Sequence, residues 1–298
     1  MTLADAAQLC ALAARHGLAL DPATLAINEA GLDFQVGLGV AANGERWVLR
    51  VPRRTDMADQ IAAEAAVLAL VAAELPVAVP RWTICTSELV AYPALPGEPG
   101  LTIDPGGALR WRLDLASRRH AEAFGALLAR LHAVAVERAR AVGVPVEEPA
   151  AVRARWRRDV AAVAAAFTVA PELHRRWAAW LDDDSFWPTW SVLTHGELYP
   201  AHVLIDADDT ITGVLDWTTA RVSDPARDFA FQHAMTSPEI FALTVDAYVR
   251  GGGRVWPRLA DHAAELWAAS PVTYGVYALQ TGDEGHRAAA QAQLAPPA

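Results

Sequence analysis

The sequence predicts an α+β chain of two lobes, a small mixed sheet-bearing lobe followed by a larger, mainly helical one. Three observations carry that prediction. Residues 32–51 hold two strand-like stretches around Asn43-Gly44, a strong signal for a tight hairpin. Pro93, Pro96, Gly97 and Pro99 then break the pattern, and from about residue 107 Ala-rich helical periodicity dominates. Inside the helical part, apolar segments 203–205 and 211–215 flank the turn Asp206-Ala207-Asp208-Asp209, which predicts one embedded hairpin.

Taken in order, residues 3–16 read as a short amphipathic helix closed by Gly17. Residues 32–40 partly alternate and form the first strand; Arg46-Trp47-Val48-Leu49-Arg50-Val51 is the second, stopped by Pro52. Residues 57–73 read as a helix carrying Glu64, and segments 78–84 and 88–92 are strand-like. The break that follows divides the chain into residues 1–92, a hinge at 93–97, and residues 98–298. In the second lobe, residues 119–135, 150–166 and 171–182 are helical. Beyond Asp228 the helices resume, Gly251-Gly252-Gly253 interrupts them, and the last ten residues read as frayed.

Of the 298 residues 53% are apolar and 20% charged, so a large core can be buried and wholesale disorder is excluded. The chain has no lysine; all 25 of its Lys and Arg residues are arginine. A P-loop, a pyridoxal enzyme and a Schiff-base aldolase each need a lysine amine, which excludes those three classes. A net charge of −10 argues against a duplex-binding surface and suits attraction of a cationic small molecule. The one basic run, Arg153, Arg155, Arg157 and Arg158, reads as a solvated helix face among acidic segments. Cys10 and Cys85 lack a C-x-x-C partner and read as reduced core residues. No apolar run reaches the roughly 18 residues of a membrane span, and Asp5 stands where an export signal would be positive. A cytoplasmic protein without a membrane partner is expected.

The stretch that carries chemistry begins Thr194-His195-Gly196-Glu197-Leu198-Tyr199-Pro200-Ala201-His202 and continues through the hairpin to Val214-Leu215-Asp216-Trp217. Phosphoryl transfer needs a carboxylate at the attacking hydroxyl and ligands for the metal ions that bridge the phosphates. Kinases arrange these as a loop acid, a metal ligand five residues later and a second carboxylate beyond a hairpin. Glu197, His202 and Asp216 occupy those positions, and the hairpin returns Asp216 beside the loop. Singly, Asp216 reads as a strand-end carboxylate and His202 as a hydrogen-bonded loop histidine; the joint spacing reverses that. His195 reads as orienting the loop by bonding its backbone, and His132 as structural. Asp228 reads as a helix cap or a brace for the loop, with the structural role preferred. His195, Glu197 and His202 do not form H-E-x-x-H, which disfavours a zinc hydrolase, and the glycine run lacks the setting of a dinucleotide loop.

These motifs resemble the aminoglycoside phosphotransferase/choline-kinase superfamily, and within it most closely the macrolide 2′-phosphotransferases. The superfamily loop is usually His-Gly-Asp, four residues and Asn; the macrolide branch has His in place of that Asn, matching His202. Pro200-x-His202, Leu215-Asp216-Trp217-Thr218, Asp224-Pro225 and Arg227-Asp228-Phe229 are similar to the same branch, as are Gly31-Leu32-Asp33-Phe34-Gln35 and Trp47 to Arg53. The resemblance implies a bilobal protein-kinase-like fold: a nucleotide-binding first lobe, then a lobe with the catalytic loop, the metal-site hairpin and a helical substrate-binding subdomain. It implies that Arg50 stands in for the strand lysine on the α/β-phosphates, a role that suits a guanidinium fork, and that Glu64 orients it. It further implies that residues 91–95, through Ala91, Tyr92 and Ala94, meet the purine edge. Phe34, Leu204 and Leu215 would complete that site. Glu197 and Asp216 would be catalytic, with Glu197 at the acceptor hydroxyl, and His202 and Asp216 would bind Mg2+. GTP is the expected donor in preference to ATP. Glu197 departs from the family's Asp: its extra methylene moves the carboxylate by roughly 1 Å, a displacement that can cost about 10²-fold in rate. The residue is open to being a working variant, a slow one or a substrate trap.

A macrolide is a broad apolar ring bearing a cationic amino sugar, so its pocket should be apolar with few acids. Phe231, Gln232, Met235, Pro271 and Tyr274, with Glu197 and Tyr199 from the loop, are the candidate lining. The simpler reading puts Phe231, Met235, Trp267, Tyr274 and Tyr277 in the core. The expected activity is GTP-dependent phosphorylation of the macrolide 2′-hydroxyl, conferring resistance, by a monomer without a nucleic-acid partner. The alternatives are a kinase of another small hydroxylated metabolite (an amino sugar, aminoglycoside or choline-like alcohol) and a degenerate nucleotide-binding module of kinase-like fold.

Overall fold

The computed structural model describes residues 5–28, 33–54, 56–104 and 106–295. Gly31 and Leu32 of the small-lobe motif, residues 3 and 4 of the expected first helix, and the last three residues lie outside that set. The chain is mixed α+β and forms two compact units. One comprises Met1–Ala123, Glu137–Val144 and Tyr199–Ala220; the other comprises Phe124–Val136, Pro145–Leu198 and Arg221–Ala298. The division read from sequence at 93–97 and this partition cut the chain differently. The physical reason is the embedded hairpin, whose strand Val203–Ile205 hydrogen-bonds to Glu98–Pro99 and whose Gly213 bridges to Ala78.

The first unit is built on a five-stranded antiparallel sheet in the order Ala26–Asn28, Phe34–Val40, Arg46–Pro52, Val90–Pro93, Ile84–Cys85. Gly44, at φ 84°, makes the hairpin turn. Alternation along Arg46–Pro52 sends Trp47, Leu49 and Val51 to one face, where they pack with Leu9, Leu12 and Ala13 of helix Ala6–Arg15. That helix opens with a capping box between Asp5 and Gln8. The opposite face carries Phe34, Val90 and Tyr92, packed with Met57 and with Ile61 of helix Ala58–Val71. The strand expected over 78–84 shrinks to Ile84–Cys85: Ala78 makes an isolated bridge to Gly213, and Pro80 brings no N–H to a ladder. A hairpin of Leu101–Ile103 and Leu109–Trp111 lies where helix or irregular chain was expected. Its turn is held by Asp104, which accepts from Gly106 N and Ala108 N.

The second unit is helical apart from the two-stranded sheet Val192–Thr194 with Arg221–Ser223. Pro149, Pro171 and Pro238 stand at the start of Pro149–Ala166, Pro171–Asp182 and Pro238–Arg250, where a missing N–H costs nothing. Helices Arg118–His132 and Pro238–Arg250 approach closely at Gly125, where a Cβ would lie 2.1 Å from Thr244 O. The frayed C-terminus is corrected. Glu284–Leu294 is a helix with Ala290 and Leu294 buried, and Gln291 hydrogen-bonds both N–H and C=O of Thr168. The basic run lies on a helix with Arg157 and Arg158 exposed, as expected, while Arg153 and Arg155 are half-buried. Arg155 pairs with Glu147, while Arg153 and Arg157 donate to Leu181 O, so these three are tied into the unit. Cys10 is buried as expected, whereas Cys85 is exposed, because its short strand lies at the sheet edge. Among the described residues no helix is long and apolar enough to cross a membrane.

Candidate active site

The first unit assembles one charged constellation. Arg50 Nη1 donates to Glu64 Oε1 at 2.7 Å, with the Arg50 side chain 8% and the Glu64 side chain 0% exposed. The guanidinium lies 4.2 Å from the Phe34 ring centroid, so that ring forms a wall under the cation. Glu64 Oε1 also accepts from Trp217 N at 3.3 Å, which ties the helix directly to the end of the hairpin. Its other oxygen is buried without a hydrogen-bond partner. Burial pushes the Glu64 carboxyl up, and Arg50 offsets only part of that push. For Arg50 burial works the other way, and the facing carboxylates of Glu64 and Asp216 hold its proton more firmly than usual.

Asp216 adopts φ 58°, the left-handed region that a residue with a Cβ enters at a cost. There its Oδ1 accepts from Thr218 Oγ1 at 2.6 Å, and its Oδ2 comes 3.7 Å from His202 Nε2. Leu215 N donates to His202 O, closing the loop onto the hairpin, and His202 N donates to Tyr199 O with the Tyr199 ring edge-on to the imidazole at 4.5 Å. Among the described residues no three His, Cys, Asp or Glu side chains are grouped to hold a metal on their own. A pair fits Mg2+, which keeps water and takes phosphate oxygens beside one or two protein ligands. His202 and Asp216 offer one imidazole nitrogen and one carboxylate oxygen side by side.

The structure thus brings Phe34, Arg50, Glu64, Tyr92, Tyr199, His202 and Asp216 into the first unit. Leu204 lies beside Leu95, since a Cβ on Gly213 would meet Leu204 Cδ1 at 3.2 Å and Leu95 Cδ1 at 3.3 Å. Leu215 is half-buried next to Asp216. Ala91 is a correction. Strand alternation puts its side chain on the opposite face from Arg50 and Tyr92, among Leu9, Leu49 and Leu89, and its carbonyl accepts from Thr83 N. Ala94 N is likewise used, by Arg46 O, although Pro93, Ala94 and Leu95 border a cleft of about 530 Å³ that also touches Trp82. Trp217 N and Trp82 were not expected in the site; a backbone donor gives no sequence signal.

The second unit holds the loop acid. Glu197 is exposed, and Glu197 N donates to His195 Nδ1 at 3.3 Å, the orienting role read for that histidine. Gly196 turns at φ 94°, and the two preceding amides are pinned: His195 N and Gly196 N donate to the two oxygens of Asp228 at 3.0 and 2.6 Å. Asp228 also accepts from His132 Nε2 at 3.1 Å. Burial alone would raise its pKa, but His132, His195 and the Gly196 amide outweigh burial and hold it below the usual carboxylate value. The preferred reading of Asp228 as a helix cap is therefore corrected: Asp224 caps that turn, and Asp228 braces the loop.

Gln232 is corrected among the candidate lining: it is buried, and its amide donates to Thr244 Oγ1. Phe231, Met235, Pro271 and Tyr274 are half-buried, and Trp267 is 38% exposed, which also corrects the core reading. Phe231 meets Trp267 edge-on at 5.0 Å, whereas Tyr274 groups with Tyr277 and His286.

The pattern of the phosphotransferase enzyme family matches residues 24–262. The crystal structure of apoenzyme MphH, a macrolide 2′-phosphotransferase from Brachybacterium faecium, is 53% identical over 99% of each chain, with a TM-score of 0.92. A macrolide 2′-phosphotransferase type I is 44% identical over 100% of this chain and 99% of its own, also at 0.92. The uncharacterized protein YcbJ of Bacillus subtilis (strain 168) is 37% identical over 282 residues, 94% of this chain and 92% of its own.

Proposed function

The chain belongs to the phosphotransferase enzyme family and, within it, to the macrolide 2′-phosphotransferases, and from that premise we propose that it transfers the terminal phosphoryl group of GTP to the 2′-hydroxyl of a macrolide. The observation that supports the reading best is the buried Arg50–Glu64 pair joined through Trp217 N to the neighbouring Asp216–His202 pair. A fixed guanidinium grips the phosphates of the donor. His202 and Asp216 are the residues that would hold Mg2+, which neutralises charge on the phosphates when bound. Glu197 offers an exposed carboxylate to the acceptor. The 2′-oxygen attacks the terminal phosphorus, its proton passes to Glu197, the bond to the β-phosphate bridging oxygen breaks, and GDP leaves. Phe231, Met235, Pro271, Tyr274 and Tyr199 are the lining we assign to the macrolide, and residues 93–97 with Tyr92, Leu204 and Leu215 the lining we assign to the base. The donor and the free cysteines fit a cytoplasmic protein, and the enzyme would confer resistance because the 2′-phosphorylated macrolide binds its target poorly.

Mass spectrometry of macrolides and aminoglycosides incubated with the protein, magnesium and GTP or ATP tests the reading. A gain of one phosphate is expected on a 14-membered macrolide and none on an analogue without the 2′-hydroxyl. Modification of aminoglycosides alone would overturn it in favour of another small-molecule kinase.

A further inference from the structure

The brace on the catalytic loop continues beyond Asp228. An ionised carboxylate only accepts, so His132 Nε2 carries the proton it shares with Asp228, and His132 Nδ1 accepts from the Tyr248 hydroxyl at 2.9 Å. Tyr248 is 1% exposed and packed edge-on against Phe229 at 5.0 Å and His132 at 5.4 Å. Burial and the charge of Asp228 push its phenol up to about 12, so the hydroxyl keeps its proton. The glycine run Gly251-Gly252-Gly253, which the proposed mechanism leaves unused, lies over this ring. Gly253 N donates to Tyr248 O at 2.9 Å, and a Cβ on Gly253 would stand 2.4 Å from ring carbons Cε1 and Cζ. Gly252 turns at φ 93°, and a Cβ on Gly251 would stand 2.5 Å from Ala129 Cβ. Only glycines let the chain fold this closely over the phenol.

We propose that Tyr248, clamped under the Gly251–Gly253 strap, is a positioning residue for phosphoryl transfer: its hydroxyl holds the ring of His132 in place, His132 orients Asp228, and Asp228 fixes the His195 and Gly196 amides that aim Glu197. The inference rests on the reading of Glu197 as the acceptor-side acid. Tyr248 touches neither donor nor acceptor in this scheme, so its removal lowers kcat and leaves KM alone.

The test measures kcat and KM of the magnesium-supplemented enzyme with GTP and a 14-membered macrolide for wild type, Tyr248→Phe, Glu197→Gln and the double variant, alongside thermal unfolding. Tyr248→Phe should lower kcat about 10- to 100-fold, the scale of a misplacement of about 1 Å, with both KM values within about twofold. In the Glu197→Gln background the same substitution should have little further effect, because the group it aims is gone. A fall in Tm with kcat unchanged, or equal losses in both backgrounds, overturns the inference. If Glu197→Gln itself keeps the wild-type kcat, the reading of Glu197 fails instead. Should Tyr248→Phe give no folded protein, Gly253→Ala, which presses on the ring and keeps the hydroxyl, is judged by the same split.

Discussion

With no lysine in the chain, the cation facing Glu64 is an arginine, and its fork answers a buried carboxylate and a ring wall at once. Arg50→Met leaves Glu64 buried and unpaired; removing one partner of such a pair costs about 3–5 kcal/mol, to be read as a drop in urea midpoint. At the acceptor, Glu197→Gln should lower kcat by about 10²–10⁴-fold with KM for GTP unchanged, and Glu197→Asp should stay active. Nucleotide affinity that falls together with kcat would move Glu197 out of the acceptor role. Asp216→Asn should abolish turnover in a folded protein, and His202→Ala should raise the magnesium requirement; wild-type rates in both at limiting magnesium would refute the metal assignment. The pairing of Arg50 with Glu64 was implied by the family resemblance, and the approach of Asp216 to His202 by the spacing of loop and hairpin. Ala91 and Gln232 were not legible in sequence, because one residue of register decides which face a side chain takes.

The element that holds the loop is the stretch from Asp224 to Asp228, a one-turn 3₁₀ helix capped by Asp224 that carries Asp228 to the His195 and Gly196 amides. The folded pKa of Asp228 is depressed, so its stabilisation is whole above the ordinary carboxylate range, about pH 4, and is lost as pH falls through the depressed value. Asp228→Asn should therefore cost about 1.5–3 kcal/mol at neutral pH, and the gap to wild type should narrow below about pH 4 in urea unfolding. A gap that widens in acid would contradict the brace. Helix Pro171–Asp182 and the hairpin Val203–Val214 were legible because a proline start and an acidic turn punctuate them. Strands Val192–Thr194 and Arg221–Ser223 were not: three residues carry no period, and their partners lie 27 to 31 residues apart in the pairing Thr194–Arg221 to Val192–Ser223. Gly97 is the other element-scale constraint. At φ 89°, with a virtual Cβ 2.2 Å from Thr212 Oγ1, it should lose more than about 1 kcal/mol on change to Ala.

For the molecule as a whole, the net charge of −10 fits a cationic small-molecule acceptor better than a nucleic acid. Family and fold were legible from the ordered motifs across the chain, whereas base preference was not, because the hinge would read the purine through backbone groups that every residue shares. GTP should be used at least as well as ATP in a competition assay, and a clear ATP preference would correct that part of the account. The central claim is the bond that forms. Phosphorus–proton correlation NMR of the product from a 14-membered macrolide, GTP and magnesium should couple one phosphate to the proton at C2′ of the amino sugar. A phosphate coupled to any other carbon-bound proton, or GTP consumed with the macrolide unchanged, would contradict it.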